Sequence, residues 1–351
     1  MKQVLDRYLK RCERDVPSLQ VCVDARDGAW SYTYSSTEED QSFHSASVGK
    51  VFCATCVMMA VEARMATLST PLAEILDPAT LEGLFVFNGV DYKHEVTLEH
   101  LLSHTSGVND YFEGKTVKGP RFLDRIFKHP DHPFTPSELV AFTRENQKAV
   151  GRPGQTFQYS DTGYVLLGFA LETLYQRPYA EILKEKIYTP LGLENTALSF
   201  HDAAFDQRKL APLYFKGRDM SQTKALSCDY SGGGLQTTTR DLARFLHGLF
   251  GGELITEPSL SAMMVPRHRF HGIMRYGLGM IEVRLHRVMP WKLGYPPLYG
   301  GLGSPSVHAF YDPEHKDAYI INLSDASKMR KSFMILSKLM GVMKKRRAQQ
   351  D

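Results

Sequence analysis

Apolar residues recur over positions 1–15 at the three- and four-residue spacing of an amphipathic helix, with Val4, Leu5, Tyr8 and Leu9 on one face. The period then shortens to two. Residues 18–24 and 29–34 alternate as strands, and Asp24-Ala25-Arg26-Asp27-Gly28 between them supplies turn chemistry, so the chain opens on a helix and a hairpin. Residues 39–46 read as a loop. The helical period returns from Ser47 to about Ala66 through Val48, Val51, Phe52, Thr55, Cys56, Met59, Ala60 and Ala63, with no Pro and no Gly beyond Gly49. The following stretch of roughly two hundred residues predicts mostly helix, broken at Thr70-Pro71, Asp77-Pro78, Ser106-Gly107, Gly151 to Gly154 and Gly192. Within it, residues 111–136 are long, aromatic and proline-bearing, which predicts a surface excursion outside the core that could line a pocket. A helix restarts at Thr239-Arg240-Asp241-Leu242-Ala243-Arg244-Phe245-Leu246.

Strand patterns return at 277–283, 306–311 and 318–323, with a turn at Asp312-Pro313-Glu314, and a terminal helix follows over 326–345. Strands at both ends and helices between them predict one sheet built from both termini, flanked by helices, with the middle inserted as a mostly helical domain. That divides the chain into an α/β unit of residues 1–67 and 272–351 and a helical unit of residues 68–271, with the site in the cleft between them.

Composition narrows the function classes. The net charge of +3 over 351 residues is small, and basic residues are dispersed except at the tail, which argues against a nucleic-acid footprint. Lys344-Lys345-Arg346-Arg347 reads as favourable charge at a helix C-terminus, since one cluster of four is marginal for membrane attraction. No apolar run is long enough to span a membrane, and Met1-Lys2-Gln3 opens no signal region, so a cytoplasmic location is expected. Five cysteines make no disulfide framework, and Cys53-x-x-Cys56, mid-helix in an apolar stretch, reads as buried small hydrophobes. His100/His104 and His268/His271 have metal-compatible spacing but no partner completing a set, so no metal is assigned.

The candidate chemistry begins at Ser47-Val48-Gly49-Lys50. On a helix starting at Ser47, Lys50 lies on the same face, where its amine can reach the hydroxyl as a base reaches a nucleophile. The helix N-terminus also favours a developing oxyanion. Ser221-Gln222-Thr223-Lys224 repeats the pattern, but the chain soon reaches Ser231-Gly232-Gly233-Gly234, which is loop chemistry.

Four further stretches follow Ser47-x-x-Lys50 in order: Leu101-Leu102-Ser103-His104-Thr105-Ser106-Gly107, the run from Pro153 through Tyr159-Ser160-Asp161 to Tyr164, Ser231-Gly232-Gly233-Gly234-Leu235, and Asp312-Pro313. Together they resemble the class C β-lactamases and penicillin-binding-protein-like serine hydrolases, including the esterases and acyltransferases of that superfamily, over residues 40–325. The resemblance implies an α/β plus α, β-lactamase/transpeptidase-like fold, no cofactor, Ser47 as nucleophile, Lys50 as its base and Tyr159 as the tyrosine of the family's Tyr-x-Asn motif. Beside a lysine cation the Tyr159 phenolate would be stabilised and could relay protons. His104 is expected to be structural, bonding a turn.

Two departures bear on substrate. Asp161 replaces the asparagine of Tyr-x-Asn, and as a carboxylate should hold Lys50 more firmly in its charged form. The family's third motif, Lys or His, a small residue, then Gly, has no cation here. Counting back from Asp312-Pro313 puts it at Gly301-Leu302-Gly303, with Tyr299-Gly300-Gly301 as the alternative register. Backbone N–H groups, from Ser47 and in the first register Ser304, would still form an oxyanion hole. Without a cation to hold a substrate carboxylate, the resemblance implies a carboxylesterase on uncharged acyl esters, with acyl transfer open. The alternatives are a β-lactamase or D-amino-acid-specific peptidase, and a catalytically weak binding or sensor protein of the same fold. The expected partner is a small ester or amide; nothing in the sequence sets an oligomeric state.

Overall fold

A computed structural model describes the chain except residues 26, 27, 29, 288, 290–292, 350 and 351. Its frame is an eight-stranded sheet, antiparallel throughout. The strands are β1 (Gln20–Ala25), β2 (Ser31–Ser35), β3 (His268–Arg269), β4 (Met274–Tyr276), β5 (Ile281–Val283), β6 (Leu298–Gly303), β7 (Val307–Asp312) and β8 (Asp317–Asn322), ordered β3-β4-β5-β6-β7-β8-β1-β2. Pairing of β8 with β1 joins the two ends of the chain, with Val21 opposite Ile321 and Val23 opposite Tyr319.

Side chains alternate across the sheet, and both faces are covered. Val21, Val23, Phe310, Tyr319 and Ile321 meet helices α1 (Lys2–Cys12) and α5 (Met329–Arg347) through Leu5, Leu9, Ile335, Leu336 and Leu339. Cys22, Ala309, Tyr311 and Ile320 face the other core, which holds α2 (Gly49–Glu62), α3 (Asp161–Tyr175) and α4 (Thr239–Phe250). Double coverage explains why β7 and β8 are buried at every position.

The structure corrects several expectations. The helix after the loop begins at Gly49 and stops at Glu62, and Ser47 sits in a preceding 3₁₀ turn, Ala46–Val48. Of the stretch over 277–283 only Ile281–Val283 is strand, because Gly277 N–H bonds back to the Met280 carbonyl and turns the chain between β4 and β5. Strand β6, where only a motif was expected, runs through the third-motif glycines. Residues 111–136 run largely exposed along the surface but are not outside the core: Tyr111, Phe122 and Phe134 are buried, and the Phe122 ring centroid lies 5.0, 4.8 and 5.2 Å from those of Tyr111, Phe134 and Phe142. Aromatic burial there outweighs the loop signal of its prolines. Phe43–His44, within the expected loop 39–46, is a strand that pairs with Leu235–Thr237, itself paired with Ala197–Leu198, and the middle of the chain also carries two short hairpins. Part of the expected turn at 24–28 and the strand start at Ala29 lie outside the described residues. Cys53 and Cys56 are buried and unpaired, and no helix among the described residues is long and apolar enough to cross a membrane.

Candidate active site

Ser45 to Lys50 is held where the sheet meets the helices. Ala46 adopts a left-handed φ of 46°, unusual for a residue with a Cβ, and this turn presents the partly exposed Ser47 at the start of α2. Lys50, one helical step on, is 1% exposed. Its Nζ donates to the Gly232 carbonyl at 2.6 Å and to the Asp161 carboxylate, and lies 3.1 Å from Ser47 Oγ. A carbonyl and a carboxylate only accept, so two N–H bonds are committed to them. The remaining direction on nitrogen faces the serine: a third proton in the ammonium, a lone pair in the neutral amine.

Tyr159 closes the cluster. Lys50 Nζ lies 4.9 Å from its ring centroid, and the ring packs between His104, centroids 4.3 Å apart, and Phe270, 5.2 Å. His104 is buried with a φ of 57°; its Nδ1 accepts from the Ser160 N–H at 3.1 Å, while Ser160 Oγ caps α3 by accepting from Gly163. The histidine therefore fixes the segment carrying Tyr159, a different bond from the local turn expected of it. The stabilised phenolate does not appear. Burial, then the charge of Asp161, pushes the Tyr159 phenol well above its usual range, and only the hydrogen bond with Ser47 works against them. Asp161 offsets the Lys50 charge that was to stabilise the anion.

Strand β6 and the short helix Tyr230–Gly233, where a loop was expected, press their backbones onto the serine turn. A Cβ at Gly233 would lie 2.5 Å from the Ala46 carbonyl carbon, one at Gly301 2.9 Å from Val48 Cα, and one at Gly303 2.4 Å from the Ser45 oxygen. Only glycine fits such contacts. Gly301 is therefore not a vacated cation position: the backbone of Val48 occupies the space its side chain would need. Gly303 and Ser304 line the same cleft as Ser47, Tyr159 and Asp161.

That cleft, about 340 Å³, also takes Asp110, Phe112, Glu113, Asp229, Phe270, His271 and Leu302. Larger clefts of about 780 and 760 Å³ elsewhere hold none of the candidate residues. The structure thus gathers Ser47, Lys50, Tyr159, Asp161, Gly301, Gly303 and Ser304 in one place. Ser221 stays apart in a loop, its N–H on Asp219 Oδ1 at 2.9 Å. Asp110 and Asp229 were missed by sequence reasoning, although each lies within three residues of a quoted motif, after Gly107 and before Ser231.

Asp110 accepts N–H bonds from Phe112, Glu113 and Asp161, at 3.2, 2.8 and 3.0 Å, and Asp229 lies 3.7 Å from Nε2 of the buried His44. Burial, reinforced by Asp161, pushes both carboxyls up to about 7. A carboxyl raised on folding contributes stability below its unfolded range, and that contribution is lost as the pH rises through the folded value. Asp229→Asn is uncharged at every pH. It is expected to raise Tm at about pH 8 by ~2 °C or more and to change it little near pH 4. Equal shifts at both pH values in calorimetry would refute this account of Asp229.

The fold, with a serine and a lysine paired in its cleft, defines a class: serine hydrolases built like penicillin-binding proteins. A profile of the Beta-lactamase family matches residues 1–348, and the chain belongs to that family. Penicillin-binding protein 4 of Amycolatopsis lactamdurans is 31% identical over 157 residues, 45% of this chain and 36% of that one. The chain spans about half or less of the length of such curated relatives. Among solved structures, the D-amino acid amidase of Ochrobactrum anthropi SV3 in complex with L-phenylalanine superposes with a TM-score of 0.80 at 22% identity, covering 99% of this chain and 98% of that one. EstCE1, a hydrolase with promiscuous acyltransferase activity, does so at 0.73 and 18%, covering 93% and 95%. At these identities the two structures establish the fold alone.

Proposed function

We propose that the chain hydrolyses carboxylic esters of uncharged acids through an acyl-enzyme on Ser47. Ser47 Oγ attacks the carbonyl carbon while its proton passes to the neutral amine of Lys50, whose lone pair the Gly232 and Asp161 bonds aim at the hydroxyl. The oxyanion lies against backbone N–H groups of Ser47 and Ser304. The alkoxide leaves as an alcohol with a proton delivered by way of Tyr159, and a water molecule then repeats the sequence to free the acid.

The observation that carries the substrate class is the lining of the cleft: among the described residues its basic side chains are His271 and, beneath Ser47, Lys50, which is committed to Asp161 and Gly232, and Gly301 leaves no room for another. A narrow apolar slot of about 50 Å³ adjoins it, sharing Ala46, Phe112, Asp229 and Ser304 and walled by Leu123, Ile126, Phe127, Leu213 and Phe215. It suits a short acyl chain. Segment 111–136, expected to line a pocket, supplies four of these residues.

A short-chain p-nitrophenyl ester is expected to be turned over with kcat/KM ~10- to 100-fold above that of nitrocefin, whose carboxylate forfeits a charge-assisted bond of ~1.5 to 3 kcal/mol. Comparable values for the two would overturn the reading. One feature favours a second reading. Asp110, Glu113, Asp161 and Asp229 line the cleft together, and could receive the ammonium of an amino acid amide, the substrate class named for the Ochrobactrum neighbour. Faster turnover of a D-aminoacyl p-nitroanilide than of the ester would put that reading in first place.

A further inference from the structure

We propose that the layer formed by α1 and α5 is a docking face for an anionic phospholipid surface. Residues 1–14 and 326–347 hold 13 of the 42 Lys and Arg but only 2 of the 39 Asp and Glu, so a chain of net charge +3 is strongly polarised. The fold makes this segregation spatial. Both helices bury their apolar stripes against the same face of the sheet, which turns their other sides to solvent. Exposed residues recur at helical spacing: Arg7, Lys10 and Arg14 on and just beyond α1, and Arg330, Met334, Lys338 and Lys345 along α5.

The acidic groups nearby are engaged. Asp6 accepts from Tyr32 Oη at 2.7 Å, Glu13 accepts from Tyr34, and Asp15 is bound by Lys328 and Lys331 of the layer itself, which leaves Arg7, Lys10, Arg14, Arg330, Lys338 and Lys345 among its exposed cations. Arg346 is buried and Arg347 is bound to Asp317, so neither belongs to the face. Isolated, the tail cluster is explained by its helix; alongside α1, its Lys344 and Lys345 extend a basic layer.

Apolar side chains stand among these cations. Val4 is 45%, Met334 52% and Leu293 78% exposed, the last on a loop whose Tyr295 ring centroid lies 4.9 Å from Lys344 Nζ. Basic residues interleaved with exposed aliphatic ones match a headgroup layer above acyl chains. A nucleic acid would use the charge but has no place for the aliphatic groups, and the face offers no exposed aromatic platform for bases among the described residues. Met329, the first residue of α5, lines the Ser47 cleft, so docking would leave the cleft at the edge of the bound face.

The test is sedimentation of the full chain with vesicles of phosphatidylcholine, with and without phosphatidylserine, at low and high salt. Expected is binding to phosphatidylserine vesicles ~10-fold or more above phosphatidylcholine alone, lost in high salt. It should also be lost in Lys338→Glu/Lys345→Glu and weakened in Met334→Ser/Val4→Ser, with ester turnover and Tm unchanged in both. Failure to bind, equal binding to both vesicles, retention by the charge-reversed variant, or displacement from vesicles by duplex DNA would each overturn the proposal. Because every readout except turnover is independent of catalysis, these outcomes are separate from those that test the hydrolase reading.

Discussion

Ser47→Ala is expected to abolish labelling by a fluorophosphonate probe and to lower ester turnover by roughly 10⁴-fold or more, while leaving the melting temperature almost unchanged. Removing the nucleophile of a serine hydrolase leaves only what binding and oxyanion stabilisation supply. The structural cost is small. Ser45 occupies the N-cap position of the 3₁₀ turn, and no side-chain cap bond comes from Ser47, so the ~0.5 to 2 kcal/mol of a lost cap does not apply. What goes is the hydrogen bond with Tyr159 and one contact of Lys50, whose bonds to Gly232 and Asp161 remain. Ser221→Ala is the control, because its Ser-x-x-Lys pattern lies in a loop outside the cleft. Activity lost in Ser221→Ala and kept in Ser47→Ala would remove the whole assignment of the site.

The second large effect is expected from Asp161→Asn, which restores the amide of Tyr-x-Asn. The acidic limb of kcat/KM should move to lower pH by about one unit. A full charge some ~4 Å away is worth up to ~4 kcal/mol at an effective dielectric near 20, and one pH unit is ~1.4 kcal/mol, so the expected shift is a fraction of the Coulomb energy. The reason for the discount is structural. Asp161 is one cause of the raised values of Asp110 and Asp229, alongside their burial. With its charge gone these two ionise more readily and return part of the negative potential to the cleft. His44 and His104, both held neutral by burial, return nothing. The sign is firm: Asp161 raises the Tyr159 phenol, and its removal favours deprotonation of the groups that activate the serine. A stationary limb would mean that Asp110 and Asp229 compensate completely, and an upward shift would mean that Asp161 promotes deprotonation.

Both substitutions concern residues legible in the sequence, and the reason is local. Ser47 and Lys50 are joined by helical spacing, and Tyr159 and Asp161 by a short motif that opens a helix. The paired terminal strands were legible because apolar and turn signals there agree. Strand β6 was not, since Gly300, Gly301 and Gly303 gave a motif register and no strand pattern; they are glycine in a strand because the backbone at Gly301 and Gly303 passes so close to the serine turn that no side chain fits. Segment 111–136 misled for a related reason. Its prolines and lack of a period are local, whereas the ring contacts of Phe122 that bury it are tertiary. Asp110 and Asp229 acquire meaning only through Asp161, which the chain brings to them from distant positions.

The glycine contacts on the serine turn have a consequence for how the molecule comes apart. Strand β6, through Gly301 and Gly303, and the turn at Gly233 grip residues 45–48 with main chain on main chain, and β6 lies inside the eight-stranded sheet. A turn held this way has no private hinge: Ser47 can shift only if the sheet interior or the helix packing separates with it. Its amide protons then belong to the slowest-exchanging unit of the chain, unlike those of a loop-borne site that frays ahead of its scaffold. On warming, loss of the reactive serine and loss of the fold become a single event, and activity persists up to the temperature at which the whole molecule melts.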